Sequence, residues 1–563
     1  MAADTGPRPI LRGGQHMLAA LVIVYVGVIG LWPLARLFLT AFAPGDEGQI
    51  LGLMRDTLDS RATARAFWNT LAAGGGSVLI SVISGVALAL LIGGLNLRAR
   101  VAMTFLILSP LLVPSQIMAL AWIELLGSSS PILGPLGLAP EGANPLYSGG
   151  GIALLMGIEH MPLVFIATRA ALTAIPNDLV EAARIAGARN ASILLRVILP
   201  LCLPAIAAGG TLAFAAAIGN FGVPALLGIP GRYSMLTTLI YQRLNGFGPS
   251  VMGQVAVLAL ILVAMAGVAL ALRAVVMRLA VPVPGGRSFA RFDAGRARLP
   301  IEGALWLMLG VTMILPILAL LGTALSPALG VDLTFSTITL NNFGETLANG
   351  TIRRALVNSL WLSFAAAAIS VLVAVPFVWL SHVAKLRSMR VMDLLADLPF
   401  IVPGTVLALA MILVFLPPLP GIGSIYGTPM ILLVAYLARF LPLVLRPVAA
   451  TATQAEPALD EAARIFNAPT WARIALIFAP MVTPAALAGA VLVVMTAINE
   501  LTLSSLLWSS GAETVGVMIF SLQYEGNSTS AAALSALSLV LVFALVVVAD
   551  RFGRHAPDAL PWR

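Results

Sequence analysis

Long apolar runs separated by short polar segments make up most of this chain. They lie near 17–41, 69–95, 101–126, 151–175, 200–227 and 252–277, and again near 301–326, 357–383, 391–416, 428–455, 481–508 and 530–550. A helix of ~20 apolar residues crosses a bilayer and satisfies its own backbone while doing so. The pattern predicts an all-α integral membrane protein of about twelve transmembrane helices. Its first run is too long for a signal-peptide core and is read as a retained helix. Gly and Pro interrupt several runs, as spanning helices tolerate. The cluster Gly74-Gly75-Gly76 predicts close helix packing rather than a ligand loop.

Composition agrees, with 60% hydrophobic and 10% charged residues and a mean hydropathy of +1.00. Soluble domains carry roughly 25% charged residues, so lipid must solvate most of this chain. The net charge of +8 does not indicate nucleic acid, because the arginines are scattered through short loops. Arg98 and Arg100, Arg184 to Arg196, Lys385 to Arg390, a linker with Arg287, Arg291, Arg296 and Arg298, and Arg551 and Arg554 fall on one side. Asp46, Glu47, Asp56 and Asp59 fall on the other. The positive-inside rule makes the basic side cytoplasmic, with both termini there. Cys202 is the single cysteine, which leaves no intramolecular disulfide and no thiolate cluster. The histidines lack metal-ligand spacing, so no metal site is expected.

The chain also repeats itself. Glu181-Ala182-Ala183-Arg184-Ile185 recurs letter for letter, 280 positions on, as Glu461-Ala462-Ala463-Arg464-Ile465. Pro200, Pro204, Ala205, Ala208 and Gly209 recur at the same offset as Pro480, Pro484, Ala485, Ala488 and Gly489. Further upstream the offset becomes 289, where Asn69-Thr70-Leu71 answers Asn358-Ser359-Leu360 and Pro110 and Pro114 answer Pro399 and Pro403. Six runs precede the linker and six follow it, so the copies run parallel, related by an axis along the membrane normal. This divides the chain into a first repeat, 1–281, a cytoplasmic linker, 282–300, and a second repeat, 301–563.

Both copies of the repeated motif fall in cytoplasmic loops, 176–200 and 456–480. Pro176-Asn177-Asp178 and Glu456-Pro457 break the preceding helix. Asp178-x-x-Glu181 has the spacing of a capping box that opens a short helix. Ala182 and Ala183 would let another protein approach the backbone, flanked by Glu181 and Arg184. Gly187 and its counterpart Asn467 are suited to a left-handed residue ending that helix. Pro200 and Pro480 mark where the next span takes over.

This loop resembles the cytoplasmic coupling loop of permease subunits of ATP-binding-cassette importers, whose signature is Glu-Ala-Ala, a Gly after three more residues and a later Ile-x-Leu-Pro-type ending. The first copy carries Glu181-Ala182-Ala183, Gly187 and Ile198-Leu199-Pro200. The second departs from it, with Asn467 at the Gly position and Phe478-Ala479 before Pro480. The resemblance implies the type I importer permease fold in a bacterial inner membrane, with both coupling helices docking on cytoplasmic ATPases. Two ATPase copies would bind ATP and Mg, and an external solute-binding protein would deliver the cargo. The chain has no Gly-x-x-x-x-Gly-Lys-Ser/Thr loop and a single lysine, Lys385, so the motor must be a separate protein. ATPase coupling is thereby assigned to Glu181, Ala182, Ala183, Arg184 and Gly187, and to Glu461, Ala462, Ala463, Arg464 and Asn467. Gly219 to Gly228, Ile425-Tyr426-Gly427 and Glu500 to Leu507 resemble the ferric-iron branch. Thiamine, aminoethylphosphonate and polyamine branches are the alternatives. An ion-coupled secondary transporter is the reading from a different class, but it has no use for two matched docking loops.

Ionisable residues inside spans are functional candidates. Glu159, beside His160, and Arg439 occupy equivalent positions, as do Asn220 and Glu500, the latter beside Asn499. These five, Glu159, Arg439, Asn220, Asn499 and Glu500, are the candidate translocation pathway. Two arrangements are open for Glu159 and Arg439: a pair across the pathway, or separate local partners.

Overall fold

The computed structural model describes residues 12–44, 49, 51–246, 251–279, 291–421, 423–454 and 458–552. Asp46, Glu47, linker residues 282–290, Glu456-Pro457 and the tail from 553 lie outside the described residues. Within them the regular structure is helical, with two isolated bridge pairs. Ten helices are long and apolar enough to cross a membrane, and twelve spans result if two sharply bent helix pairs each count as one.

In the first half α1 is Gly14–Ala41, α2 Arg61–Gly94, the bent pair α3 Arg100–Leu111 and α4 Ser115–Leu125, and α5 Gly149–Ala174. The short helix α6, Asn177–Ile185, precedes α7, Asn190–Gly219, then α8, Leu236–Leu244, and α9, Val251–Arg278. The second half repeats this order. Its long helices are α10 Gly295–Leu325 and α11 Gly350–Val383, the bent pair α12 Arg387–Ile401 and α13 Gly404–Phe415, and α14 Pro429–Gln454. They are followed by α15 Ala458–Ile465, α16 Thr470–Ala497, α17 Val515–Tyr524 and α18 Ser528–Val548.

The runs 101–126 and 391–416 each fold as a sharply bent helix pair. The angles are 105° and 106°, and each corner falls at a repeated proline, Pro114 or Pro403. Proline offers no N–H and pushes the residue before it out of the helical region; Val402 accordingly has ψ 135°. Pro200 and Pro480 differ from expectation. They lie inside α7 and α16, each just after a widened turn, Leu194–Ile198 and Arg473–Phe478. A widened turn gives the proline ring room beside the carbonyl it would otherwise strike. The fifth span also ends earlier than its run: α7 stops at Gly219 and a separate turn, Pro224–Gly228, follows.

Within each half three helices form the packed centre: α2, α5 and α7 in the first, α11, α14 and α16 in the second. The first helix of each half crosses over. α1 lies against α13, and α10 lies against α4, so each bent pair is held by the opposite half. Thr323 of α10 donates to the buried Glu124 of α4 at 2.8 Å.

Glycines set the closest approaches. A Cβ at Gly489 would sit 2.7 Å from Leu443 O and Val444 Cα, and one at the equivalent Gly209 3.0 Å from Val164 Cα. The triple-glycine expectation holds at Gly74, where a Cβ would meet Ile218 at 3.2 Å, and at Gly76, where it would meet Ala153 at 3.1 Å. Gly75 faces open space. Gly489→Ala is therefore expected to destabilise by ~1–3 kcal/mol, read as a lower unfolding midpoint in nanodiscs. Gly75→Ala should not lower it, because alanine has the better helix propensity.

Candidate functional site

The two short helices α6 and α15 end alike. Gly187 has φ +82° and Asn467 φ +56°. Gly187 N–H donates to Arg184 O at 2.9 Å and Ala188 N–H to Ala183 O at 3.0 Å; Asn467 N–H to Arg464 O is 3.0 Å and Ala468 N–H to Ala463 O 2.9 Å. This is the double bond pattern that closes a helix on a left-handed residue, formed twice on repeated sequence. The start of α6 is a correction. Pro176 holds the cap position and no side chain caps the helix. Asp178 therefore falls two residues too far in to form the expected box, and instead sits in the first turn, favourably placed for the helix dipole. Glu181 accepts from Asn177 Nδ2.

Glu181, Ala182 and Arg184 are exposed and Ala183 half-buried, and Glu461, Ala462, Arg464 and Ala463 repeat that order. Beside them stand side chains that the motif reading passed over: Ile185 is 89% exposed, Ile465 78% and Phe466 85%. Their signal was present in the sequence, as apolar residues directly before the left-handed position.

The anchoring of the two helices differs. In the first half Val180 and Ile193 are fully buried together under α6. At the equivalent positions the second half has Asp460 and Arg473. Arg473 Nε donates to Asp460 Oδ1 at 3.0 Å, and its guanidinium lies 4.9 Å from the Trp379 ring centre.

The five pathway candidates gather at the contact between the halves. Glu159, Arg439, Asn499 and Glu500 line a cavity of about 300 Å³. Glu159, Arg439 and Asn220 line a second of about 450 Å³, and the two share Ser115, His160 and Thr502. Glu159 and Arg439 have separate partners. Glu159 accepts from Ser115 Oγ and from Asn220 Nδ2, the latter at 3.0 Å. Arg439 Nη1 donates to Val402 O at 3.3 Å, at the corner of the second bent pair. No hydrogen bond or ion pair joins Glu159 to Arg439 among the described residues.

Asn220 and Glu500 share a local task. Asn220 Oδ1 accepts from Val223 N at 3.1 Å, and Glu500 accepts from Leu503 N at 2.7 Å and Ser504 N at 3.0 Å. Each caps the turn that restarts the chain after the fifth span breaks. Asn499 ties the halves together: its carbonyl accepts from Gln116 Nε2 at 2.7 Å, and its Oδ1 accepts from Ser538. One network the sequence reading missed is Arg446, which binds Asp393 at 3.1 Å and also Asp397. It fixes α12 to α14 behind the corner that Arg439 holds.

The repeat and the apolar helices agree with comparison to known proteins. The model of the family described as the binding-protein-dependent transport system inner membrane component matches residues 63–277 and again 381–557. The chain belongs to this family. It is a multi-pass transport subunit with two copies of the family unit fused in one polypeptide. A probable ABC transporter permease, y4fN, of Sinorhizobium fredii is 26% identical over 87% of this chain and 87% of its own length. A putative ferric transport system permease, FbpB 1, of Haemophilus influenzae is 25% identical over 90% of this chain and 80% of its own. A putative 2-aminoethylphosphonate transport system permease, PhnU, of Salmonella typhimurium is 31% identical over 42% of this chain and 84% of its own.

Proposed function

We propose that this chain is the membrane-spanning subunit of an ATP-driven importer in a bacterial inner membrane, and that its cargo is ferric iron. Both termini are cytoplasmic, where α6 and α15 dock on two copies of a separate ATPase. A solute-binding protein delivers iron at the opposite face. Closure of the ATPases on ATP draws α6 and α15 together. Their motion passes into α7 and α16, whose far ends carry Asn220 and Glu500. The cavity at the contact between the halves then opens to one side or the other. A ligand that binds one of two such states better shifts the population toward it.

The observation that supports a cation is the charge of the cavity wall. Glu159, Glu500 and Arg439 line it. Ser115 and Asn499 add oxygen atoms to the same wall and Asn220 to the adjoining cavity, the donor type that hard cations prefer. The relatives supply both cargo readings. The ferric permease aligns over most of the chain, whereas PhnU favours a phosphonate on higher identity over less than half of it.

Uptake of labelled ferric iron, thiamine and aminoethylphosphonate in cells with and without the gene tests the proposal. Loss of iron uptake alone is expected; loss of another solute alone would retain the machine and discard the cargo. Glu159→Gln should lower iron uptake about tenfold, the equivalent of ~1.4 kcal/mol, with membrane levels of the chain unchanged. Undiminished uptake would remove Glu159 from the pathway.

A further inference from the structure

Behind α6 and α15 the two halves build the same recess and treat it differently. In the first half the recess is filled from within the chain. Phe292, 2% exposed, pairs with the end of α2: its N–H donates to Gly94 O at 2.8 Å and its carbonyl accepts from Asn96 N at 3.0 Å. Its ring lies 5.2 Å from the Arg184 guanidinium.

At the repeat offsets Leu90, Gly93 to Asn96 and Arg184 become Trp379, His382 to Lys385 and Arg464. These residues surround an open cavity of about 310 Å³, closed on its other sides by Leu459, Phe478 and Met481. None of the described residues enters it as Phe292 enters its counterpart. The size is that of a small-molecule pocket.

The lining chemistry narrows the occupant. Trp379, Leu459, Phe478 and Met481 give an apolar floor. Asp460 is committed to Arg473, and the exposed Glu461 also lines the cavity. Lys385 and Arg464 have no carboxylate within 4.0 Å among the described residues.

We propose that this cavity binds a small carboxylic acid with an apolar, aromatic body. The ring takes under Arg464 the place that Phe292 holds under Arg184, where a guanidinium over an aromatic face is favourable. The carboxylate meets Lys385. The site shares Glu461 and Arg464 with the repeated motif, does not include Ile465 or Phe466, and does not depend on which solute the cavity between the halves carries.

The test uses the full-length chain in nanodiscs, with 3-phenylpropionate as the probe and 3-phenylpropanol as its uncharged analogue. Calorimetric titration should show a single saturable site for the acid, with the alcohol about tenfold weaker or more, since a charge-assisted contact is lost. Ala384→Leu with Lys385→Asn copies the first half, where Leu95-Asn96 stand, and should lower affinity for the acid about tenfold or more. Lys385→Glu, a single exposed position, should do the same by repulsion. Absence of saturable binding, equal binding of acid and alcohol, or binding unchanged in both variants would each overturn the proposal.

Discussion

Reversing the charge on both α6 and α15, Glu181→Arg with Glu461→Arg, is expected to abolish uptake while leaving the chain folded and in the membrane. Both carboxylates are exposed, and exposed substitutions away from buried networks usually stay within ~0.5 kcal/mol of neutral. At an interface the same change is costly. Opposed like charges, or one partner of a buried pair removed, cost ~2–5 kcal/mol at each contact. Two such contacts carry the loss beyond about a hundredfold. The readouts are the amount of ATPase recovered with the purified chain and the rate of uptake, scored against membrane levels. The single reversals should be weaker than the double, because each leaves one helix docked. Full uptake with both carboxylates reversed would remove the coupling assignment and favour an ion-coupled transporter, which has no need of an external motor.

The repeat carried most of what the sequence disclosed. Two residues at one offset, Gly187 and Asn467, share a left-handed conformation because the backbone at that point has one economical way to end a helix, and only certain residues accept it. The same offset made Glu159 equivalent to Arg439 and Asn220 to Glu500; Glu159 and Arg439 line the same cavities with separate partners, and Asn220 and Glu500 each cap a local turn. Hydropathy failed where direction mattered. It measures apolar length, so the runs 101–126 and 391–416 carry no sign that Pro114 and Pro403 turn the chain through about a right angle. Proline alone could not reveal this: Pro162 and Pro442 stand inside continuous helices. The capping box failed by a register error, because Pro176 rather than Asp178 occupies the cap. Phe292 was out of reach for another reason. Its partners lie about 200 and 110 positions away, at Leu95 and Arg184, and nothing in its neighbourhood distinguishes it from any other linker aromatic.

The anchoring of α15 yields the other large effect, on stability. Arg473 is 3% exposed at its side chain and Asp460 15%, so removing either leaves its partner charged and largely out of water. Arg473→Ile alone and Asp460→Val alone should each cost ~3–5 kcal/mol, seen as a lower unfolding midpoint and faster proteolysis within α15. The double variant Asp460→Val with Arg473→Ile reproduces Val180 and Ile193, which already pack in the first half with no charge between them. Apolar replacement of a buried ion pair is commonly neutral or stabilising by ~1–4 kcal/mol, so the double variant should recover the midpoint of the unmodified chain. Trp379 offsets this in part, because its face loses the guanidinium that rests on it, a contact of ~1–2 kcal/mol when desolvated. Uptake separates anchoring from signalling. A double variant that regains both stability and uptake makes the ion pair a structural substitute for the apolar contact. One that regains stability but not uptake would mean that the second helix transmits its motion through Arg473, and that the two halves are alike in fold but unequal in how they are driven.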